Sequence, residues 1–443
     1  MKIAIAGSGI AGLSAAWALH QDHEITVFEA ENYVGGHSNT VLVPEGDRQI
    51  PVDTGFIVYN ERTYPKLTRL FQELEVPTQD SEMSFSVSLG DGHLEYKGSL
   101  AGLVAQPLNL VRPRYWRMLR DLTRFYREAP ELLQDHDSDG PTLGRFLEAG
   151  GYCDAFVYDH LLPMGAAIWS TSVQDMLSFP ARSFVQFCRN HGLLLYTNRP
   201  QWRTVAGGSR EYVRRLSRGF QDRIRLSTAV VSCRRTPIGV YVTTEAGGEE
   251  RFDHLILACH SNQALRILGS DAGPQETAIL GSLGYEDNHA VLHRDHSLMP
   301  RRRRAWASWN YMGGDDEDQR RKVSVTYWMN RLQNLETEEP LFVSLNPHRR
   351  PDIDKVIASF TYAHPQFDRA ALEAQSQIYK IQGVRQTWFC GAYCGYGFHE
   401  DGLEAGLKVA AELGAKVPWA EEAGTMSPAW RAVQPVLSLA AAE

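Results

Sequence analysis

The 443-residue chain contains no run of eighteen or more consecutive apolar residues, so no membrane-spanning helix is expected. No two of its six cysteines (Cys153, Cys188, Cys233, Cys259, Cys390 and Cys394) stand at CxxC spacing. That removes the usual paired zinc or dithiol redox motifs, leaves free thiols as the simple reading, and predicts no metal site. Excess positive charge is also missing. The formal net charge is -8, which argues against general nucleic-acid binding. Internal repeats and low-complexity linkers are absent. Met1 and Lys2 lead directly into a strand-like run with no cleavage site after it, so a signal peptide is not expected and a cytoplasmic location is. Hydrophobic residues at 43% and charged residues at 22% make an ordinary globular composition. At roughly 150 residues per unit, two or three folding units are expected.

What is present begins at residue 2. KIAIA reads as a buried parallel strand, followed by Gly7-Ser8-Gly9-Ile10-Ala11-Gly12, a helix-like LSAAWAL, and a second strand EITVFEA that reaches Glu29 and Ala30. In such a unit the first glycine permits a tight turn. The second admits a pyrophosphate to the backbone, and the third lets helix and strand pack closely. The helix N-terminus offers free N–H groups and a positive dipole end to phosphate. Glu29 falls where a carboxylate accepts ribose hydroxyls. These features predict a dinucleotide site and leave NAD and FAD both open.

Tyr33-Val34-Gly35-Gly36-His37 and Val52-Asp53-Thr54-Gly55-Phe56 follow. With them the chain resembles the flavin-containing amine oxidase superfamily, which includes phytoene desaturases and protoporphyrinogen oxidases. The resemblance implies non-covalently bound FAD, lined by Gly35, Gly36, Thr54, Gly55 and Phe56. An arginine usually follows the double glycine in that superfamily. Here His37 stands in its place, a weaker phosphate contact than a guanidinium fork.

Near the other end, TWFCGAYCGYGFHEDGLEAGLKVAAEL (387–413) reads as a strand, a loop and a helix from about Gly402. The resemblance implies that this segment returns to the flavin, with Gly391, Gly402 and Leu403 at the cofactor. A helix N-terminus there would stabilise negative charge developing on the flavin. The superfamily's Gly-Thr-Glu triplet is replaced by Gly391-Ala392-Tyr393. Cys390 and Cys394 read as buried thiols rather than flavin attachment points.

Between the ends, Thr204 to Ser209 reads as a turn that starts a helix. IRLSTAVVSCRRT, GVYVTT and FDHLILAC read as three strands. The resemblance places Val230 and Val231 on the adenine side of FAD, and Ala258 (with Cys259 and His260) at a strand end near it. The expected fold class is α/β, or α+β overall: a Rossmann-like FAD-binding domain with a mixed-sheet and helical substrate domain, as in the amine-oxidase, glutathione-reductase-2-like fold. The FAD domain is expected to be discontinuous, from residues 1–60, 200–270 and 380–418. The substrate domain takes 61–199 and 271–379, with 60–170 mainly helical and 285–345 in strands. A tail, 419–443, follows.

LPMGAAIWS (162–170), HAVLHRDHSLMPRRRRAWASWNY (289–311), VTYWMN (325–330) and CGYGFHEDGL (394–403) narrow the resemblance. They are similar to a branch of FAD-dependent oxidoreductases associated with cyclopropane-fatty-acid-synthase-like lipid methyltransferases, and to the N-terminal half of plant cyclopropane-fatty-acid synthases. That implies desaturation of acyl chains in methylated fatty acids or phospholipids, and a lipid methyltransferase as partner. An aromatic, Met-containing set (Trp169, Trp309, Asn310, Tyr311, Tyr327, Trp328, Met329) would suit an apolar substrate, although core packing accounts for such residues equally well.

Residues 112–127 form a basic amphipathic pattern, and Arg301 to Arg304 lie near Trp306 and Trp309. Both could touch an anionic membrane surface, or simply be solvated. Candidate proton acceptors are His399, Tyr396, Tyr393 and Glu400, with His399 first because its ordinary pKa lies near neutrality. Amine oxidation is the rival within the same fold. Its lysine-bound water has no evident lysine in Val291 to Asp295. A non-catalytic flavin-binding partner of the methyltransferase is the third reading.

Overall fold

Ile3, Ala4 and Ile5 are wholly buried in the strand Lys2–Ala6, because both faces of a parallel sheet are covered. In this computed structural model, which describes residues 1–134, 140–313, 323–417 and 419, that strand is the centre of a five-stranded sheet. The order is Ile224–Arg225, Glu24–Phe28, Lys2–Ala6, His254–Leu257 and Thr387–Phe389, and every neighbouring pair is parallel. Three distant stretches of chain therefore meet in one sheet.

Two helices lie against one another beside it, Ile10–Leu19 and the return helix His399–Glu412. Their contact is glycine-mediated. A Cβ on Gly402 would stand 2.9 Å from Ile10 Cγ2, and one on Gly406 would stand 2.1 Å from the Ala11 carbonyl oxygen. Contacts advance in the same sense along both helices, so the helices run parallel. Both N-termini open at the carboxyl ends of the strands, where ligands bind in open α/β sheets.

A seven-stranded mixed sheet stands apart from the first. Its order is Val356–Pro365, Tyr285–His293, Phe342–Leu345, Val325–Trp328, Trp309–Met312, Phe85–Leu89 and Leu94–Lys97. All pairs are antiparallel except that between Trp309–Met312 and Phe85–Leu89. Helices Pro113–Glu128, Leu162–Trp169 and Ala181–Asn190 share a second core with this sheet, built on Phe125, Phe156, Trp169 and Phe184.

The observed elements depart from the expected ones in three places. Within the segment expected to be mainly helical, Phe85–Leu89 and Leu94–Lys97 form a hairpin. FSVSL alternates, and Gly90, Asp91 and Gly92 all take positive φ in the turn. The three expected strands of 224–259 are five. Asp253 ends the antiparallel strand Glu249–Phe252 and exchanges hydrogen bonds with Lys2, which starts a separate parallel strand at His254. The return helix begins at His399 rather than Gly402, because the Asp401 carboxylate accepts the Phe398 N–H at 2.9 Å and caps the turn early. The expected tail lies outside the described residues except for Trp419, whose ring packs 5.5 Å from that of Trp17.

Candidate active site

The glycines of the first turn do different work. A Cβ on Gly12 would stand 1.9 Å from the Gly7 carbonyl oxygen, so this position serves packing of turn on helix. A Cβ on Gly9 would meet no protein atom within 4 Å. The bare backbone at Gly9 therefore faces outward, at the head of the helix whose first turn contains buried Ile10 and Ala11. Gly36 closes over it: a Cβ there would lie 3.2 Å from Gly9 Cα. Gly35 takes φ +127°, a conformation that L side chains rarely adopt. Its N–H donates to Ser8 Oγ at 3.2 Å, which joins the two glycine loops.

Glu29 follows directly on the second strand and is buried. Its carboxylate accepts from Ser8 N–H at 2.9 Å, Ser8 Oγ at 2.5 Å and Glu31 N–H at 2.9 Å. A carboxylate has about four acceptor positions, so this arrangement leaves room for one ribose hydroxyl. Ala30 is exposed beside it. Thr228 N–H donates to the Glu29 carbonyl, which brings the start of strand Val230–Thr236 alongside. Val230 is half-buried there and Val231 is 43% exposed.

Asp53, Thr54, Gly55 and Phe56 brace the double-glycine loop. Phe56 N–H donates to the His37 carbonyl at 2.8 Å, and Thr54 Oγ1 bonds the Asn39 carbonyl. Asp53 is buried and accepts from Thr40 Oγ1, Ser209 N–H, Ser209 Oγ and Gln333 Nε2. Burial outweighs those bonds and raises its carboxyl to about 6.

Imidazoles crowd the far side of this loop. The His37 ring lies 5.9 Å from His260, 5.6 Å from His364 and 4.9 Å from Tyr362. His260 stacks on Tyr285 at 4.7 Å. Burial, reinforced by neighbouring imidazoles, pushes His37 and His260 down to about 4 and His364 to about 3. All three are neutral near pH 7. Among the described residues no group of His, Cys, Asp or Glu is arranged to hold a metal ion.

His399, at the head of the return helix, is the fourth imidazole. Its Nε2 lies 2.7 Å from Tyr212 Oη and 3.0 Å from Ser38 Oγ, and its ring stacks on Phe56 at 3.8 Å. Burial lowers it to about 3. Tyr396 is half-buried, 6.4 Å from Phe187. Tyr393 is a core residue, folded over Gly391, with its hydroxyl buried and its pKa pushed up by burial. Leu403 is wholly buried, so its side chain faces the core and only its backbone is near the helix N-terminus. Gly402 serves helix packing, as described above. Ala258 backs the first turn, its carbonyl 2.6 Å from where a Gly7 Cβ would be. Cys390 and Cys394 are buried core thiols, raised by burial.

The proposed apolar set divides. Asn310 spends its amide on Ser86, Ala307 and Thr326, and Met329 is core. Trp169 packs among Phe179, Phe184 and Phe187, while Trp309 stands edge-on to Tyr327. Tyr311 is buried and Trp328 half-buried.

This architecture recurs in known proteins. A family profile described as flavin containing amine oxidoreductase matches residues 10–287, more than half of the chain. The chain belongs to that family. The members of that family are flavin-containing oxidoreductases. A Mycobacterium tuberculosis protein named "Putative flavin-containing monoamine oxidase AofH" is 25% identical over 255 residues, which span 56% of this chain and 55% of that protein. This chain thus aligns with about half the length of that relative. Three solved structures share the fold across 93% of the chain. Cyclohexylamine oxidase from Brevibacterium oxydans IH-35A has a TM-score of 0.66 at 16% identity, with 98% of its chain covered. A CLA-producing fatty acid isomerase from P. acnes scores 0.65 at 16%, also with 98% covered. Putrescine oxidase bound to putrescine scores 0.64 at 15%, with 99% covered.

The residues fit FAD. Gly9 offers an open backbone, two parallel helices present their N-termini at one end of the sheet, and Glu29 sits at the adjoining strand end. Bound there, FAD supplies a hydride acceptor. Sequence reasoning had not singled out Ser38, Tyr212, Tyr362 or His364. They carry no local motif, and only the fold gathers them.

Proposed function

We propose that this flavoenzyme dehydrogenates a neutral, apolar substrate, the acyl chain of a methylated fatty acid or phospholipid. The carrying observation is electrostatic. The imidazoles of His37, His260, His364 and His399 are held neutral, and the carboxylates of Asp53, Glu400, Asp401 and Glu404 are already engaged. Asp53 is bonded to Thr40, Ser209 and Gln333. Glu400 accepts from Lys66 N–H and Leu67 N–H, and Asp401 from Phe398 N–H. Glu404 is paired with Lys66 and Lys408. Among these four described carboxylates an alkylammonium substrate would find none uncommitted, whereas a hydrocarbon needs none. Among the described strands of the seven-stranded sheet the one lysine is Lys97, which pairs with Glu82 on the outermost strand. A lysine placed as in amine oxidases is therefore not in evidence. The fold itself hosts amine and fatty-acid chemistry alike, so it does not choose between them.

Such an oxidation removes a hydride and a proton from adjacent carbons, so a base must take the proton. His399 already has Tyr212 and Ser38 at its Nε2, which suits a positioning role. His37, His260 and His364 are the neutral imidazoles better kept for proton transfer. The deciding experiment mixes the purified holoprotein anaerobically with a methyl-branched phospholipid, its free fatty acid, or simple amines. Bleaching of the flavin by the lipid, with a new double bond in the recovered chain, is the expected result. Bleaching by amines alone would replace this reading with amine oxidation. Bleaching by neither, even with the lipid methyltransferase added, would leave a flavin-binding partner.

A further inference from the structure

Trp306 and Met299, which in sequence accompany the four-arginine run, are buried, Trp306 standing edge-on to Trp328 and Phe342. The exposed apolar surface lies elsewhere, between residues 100 and 116. Leu100 is 90% exposed, Val111 72%, Leu108 55% and Trp116 53%, with Val104 and Leu110 beside them. The segment is one ridge. Tyr115 Oη donates to the Leu103 carbonyl and Trp116 Nε1 to the Leu110 carbonyl, tying the head of helix Pro113–Glu128 to the turns before it. That second bond leaves the Trp116 ring outward without a stranded donor.

Charge around this ridge is mainly positive, with Asp91 at the hairpin tip the exposed exception. No carboxylate occurs between Glu95 and Asp121, in a chain whose net charge is -8. Both of those flanking carboxylates are wholly buried. Arg117 and Arg120 lie exposed on the helix beside Trp116. The hairpin tip then collects arginines from two regions of the sequence. Arg112 donates to the His93 carbonyl, Arg302 to the Gly92 carbonyl, and Arg301 pairs with Asp91. The two basic clusters of the sequence are thus one rim around one apolar ridge.

We propose that this ridge docks the protein on an anionic phospholipid bilayer, its leucine, valine and tryptophan side chains entering the interfacial layer while the arginines hold head groups. Protruding apolar side chains with satisfied polar groups, rimmed by arginine, match the interfacial mode of binding. The inference stands on this surface alone and not on the choice of substrate. It is therefore tested with vesicles of straight-chain dioleoyl lipids, which lack the methyl branch.

Holoprotein is sedimented with vesicles of pure phosphatidylcholine, or of phosphatidylcholine with 30% phosphatidylglycerol (roughly the charge of an anionic leaflet). Binding is expected to be at least tenfold stronger with phosphatidylglycerol and to fall in high salt. Leu108→Ser with Val111→Ser should lower it at least tenfold. Arg117→Gln should weaken the preference for anionic lipid, and all three changes lie on exposed positions, so unfolding midpoints should hold. Equal binding to both vesicles, or wild-type binding by the Leu108/Val111 variant, overturns the proposal. Concentration-dependent dimers that the same substitutions abolish, without vesicle binding, would assign the ridge to a second copy of the chain instead.

Discussion

Gly406 of the return helix rests against the carbonyl of Ala11 in the first helix, so closely that a Cβ would stand 2.1 Å from that oxygen and 2.3 Å from Ser14 Oγ. Backbone atoms cannot yield as a flexible side chain would. Gly406→Ala must therefore push the two helices apart, at roughly 1–3 kcal/mol or more. Because both helix N-termini face the cofactor end of the sheet, the displacement should also cost FAD occupancy. Thermal unfolding and the ratio of flavin to protein absorbance check both. Gly414→Ala is an unsuitable control, since Gly414 takes φ +91°. Gly9→Ala separates the two effects.

At Gly9 the backbone has φ -68° and ψ 179°, which alanine adopts freely, and a Cβ would touch no protein atom. The apoprotein of Gly9→Ala should therefore unfold at the wild-type midpoint. Its methyl group would occupy the approach of the pyrophosphate, and FAD affinity should fall at least tenfold, or about 1.4 kcal/mol. Titration of apoprotein with FAD measures this. Unchanged affinity would mean that the pyrophosphate does not pass over Gly9.

These two glycines also show where sequence reasoning reaches. The first turn and Glu29 are readable because the phosphate site is local, all within thirty residues. Gly402 was legible as part of a motif, yet its use in helix packing was not, because the partner, Ile10, is 392 residues away in the chain. The network Ser38–Tyr212–His399 spans separations of 174 and 187 residues and leaves no trace in local pattern. Tyr362 and His364 look like ordinary alternation in a strand. The helix start shifted for a local reason, the Asp401 cap, which competes with the glycine as a start signal.

His399 gives a kinetic prediction. Its folded pKa of about 3 places it neutral throughout the working range. The pH profile of flavin reduction should lack a limb near 6.5 attributable to this residue. His399→Gln should slow reduction less than about tenfold, whereas loss of a general base costs about 10² to 10⁴. Stopped-flow reduction across pH decides it, and a loss in the larger range would make His399 the base.

The imidazole cluster should govern acid stability. In the unfolded chain each histidine takes up a proton near its ordinary 6.5. In the folded protein His37 and His260 wait until about 4, and His364 and His399 until about 3. Their contribution is thus full above 6.5 and lost as pH falls toward 4. Asp53, raised to about 6, and Glu400 and Asp401, raised to about 7, work in the opposite sense over the same interval. His364→Gln removes one destabilising proton uptake and leaves the carboxylates alone. The drop in unfolding midpoint between pH 7.5 and 5 should shrink in this variant. An identical drop would show that the cluster does not control acid unfolding.

Arg234 and Arg235 are neighbours on the strand Val230–Thr236, and alternation sends them to opposite faces. Arg234 meets Glu249 in the open, at 2.6 Å. Arg235, its side chain wholly buried, donates to Glu276 Oε1 at 2.5 Å, Glu276 Oε2 at 2.8 Å and Asp271 Oδ2 at 3.0 Å. Glu276→Gln leaves a buried guanidinium short of its compensating charge, which costs roughly 3–5 kcal/mol where such a pair is broken. Asp271 remains to offset part of this, so the lower end applies, and the unfolding midpoint should drop by several degrees. Glu249→Gln exchanges one solvated pair for water and should leave the midpoint where it was. Both variants alter one carboxylate on the same small unit, so equal midpoints would show that burial does not set the worth of these two ion pairs.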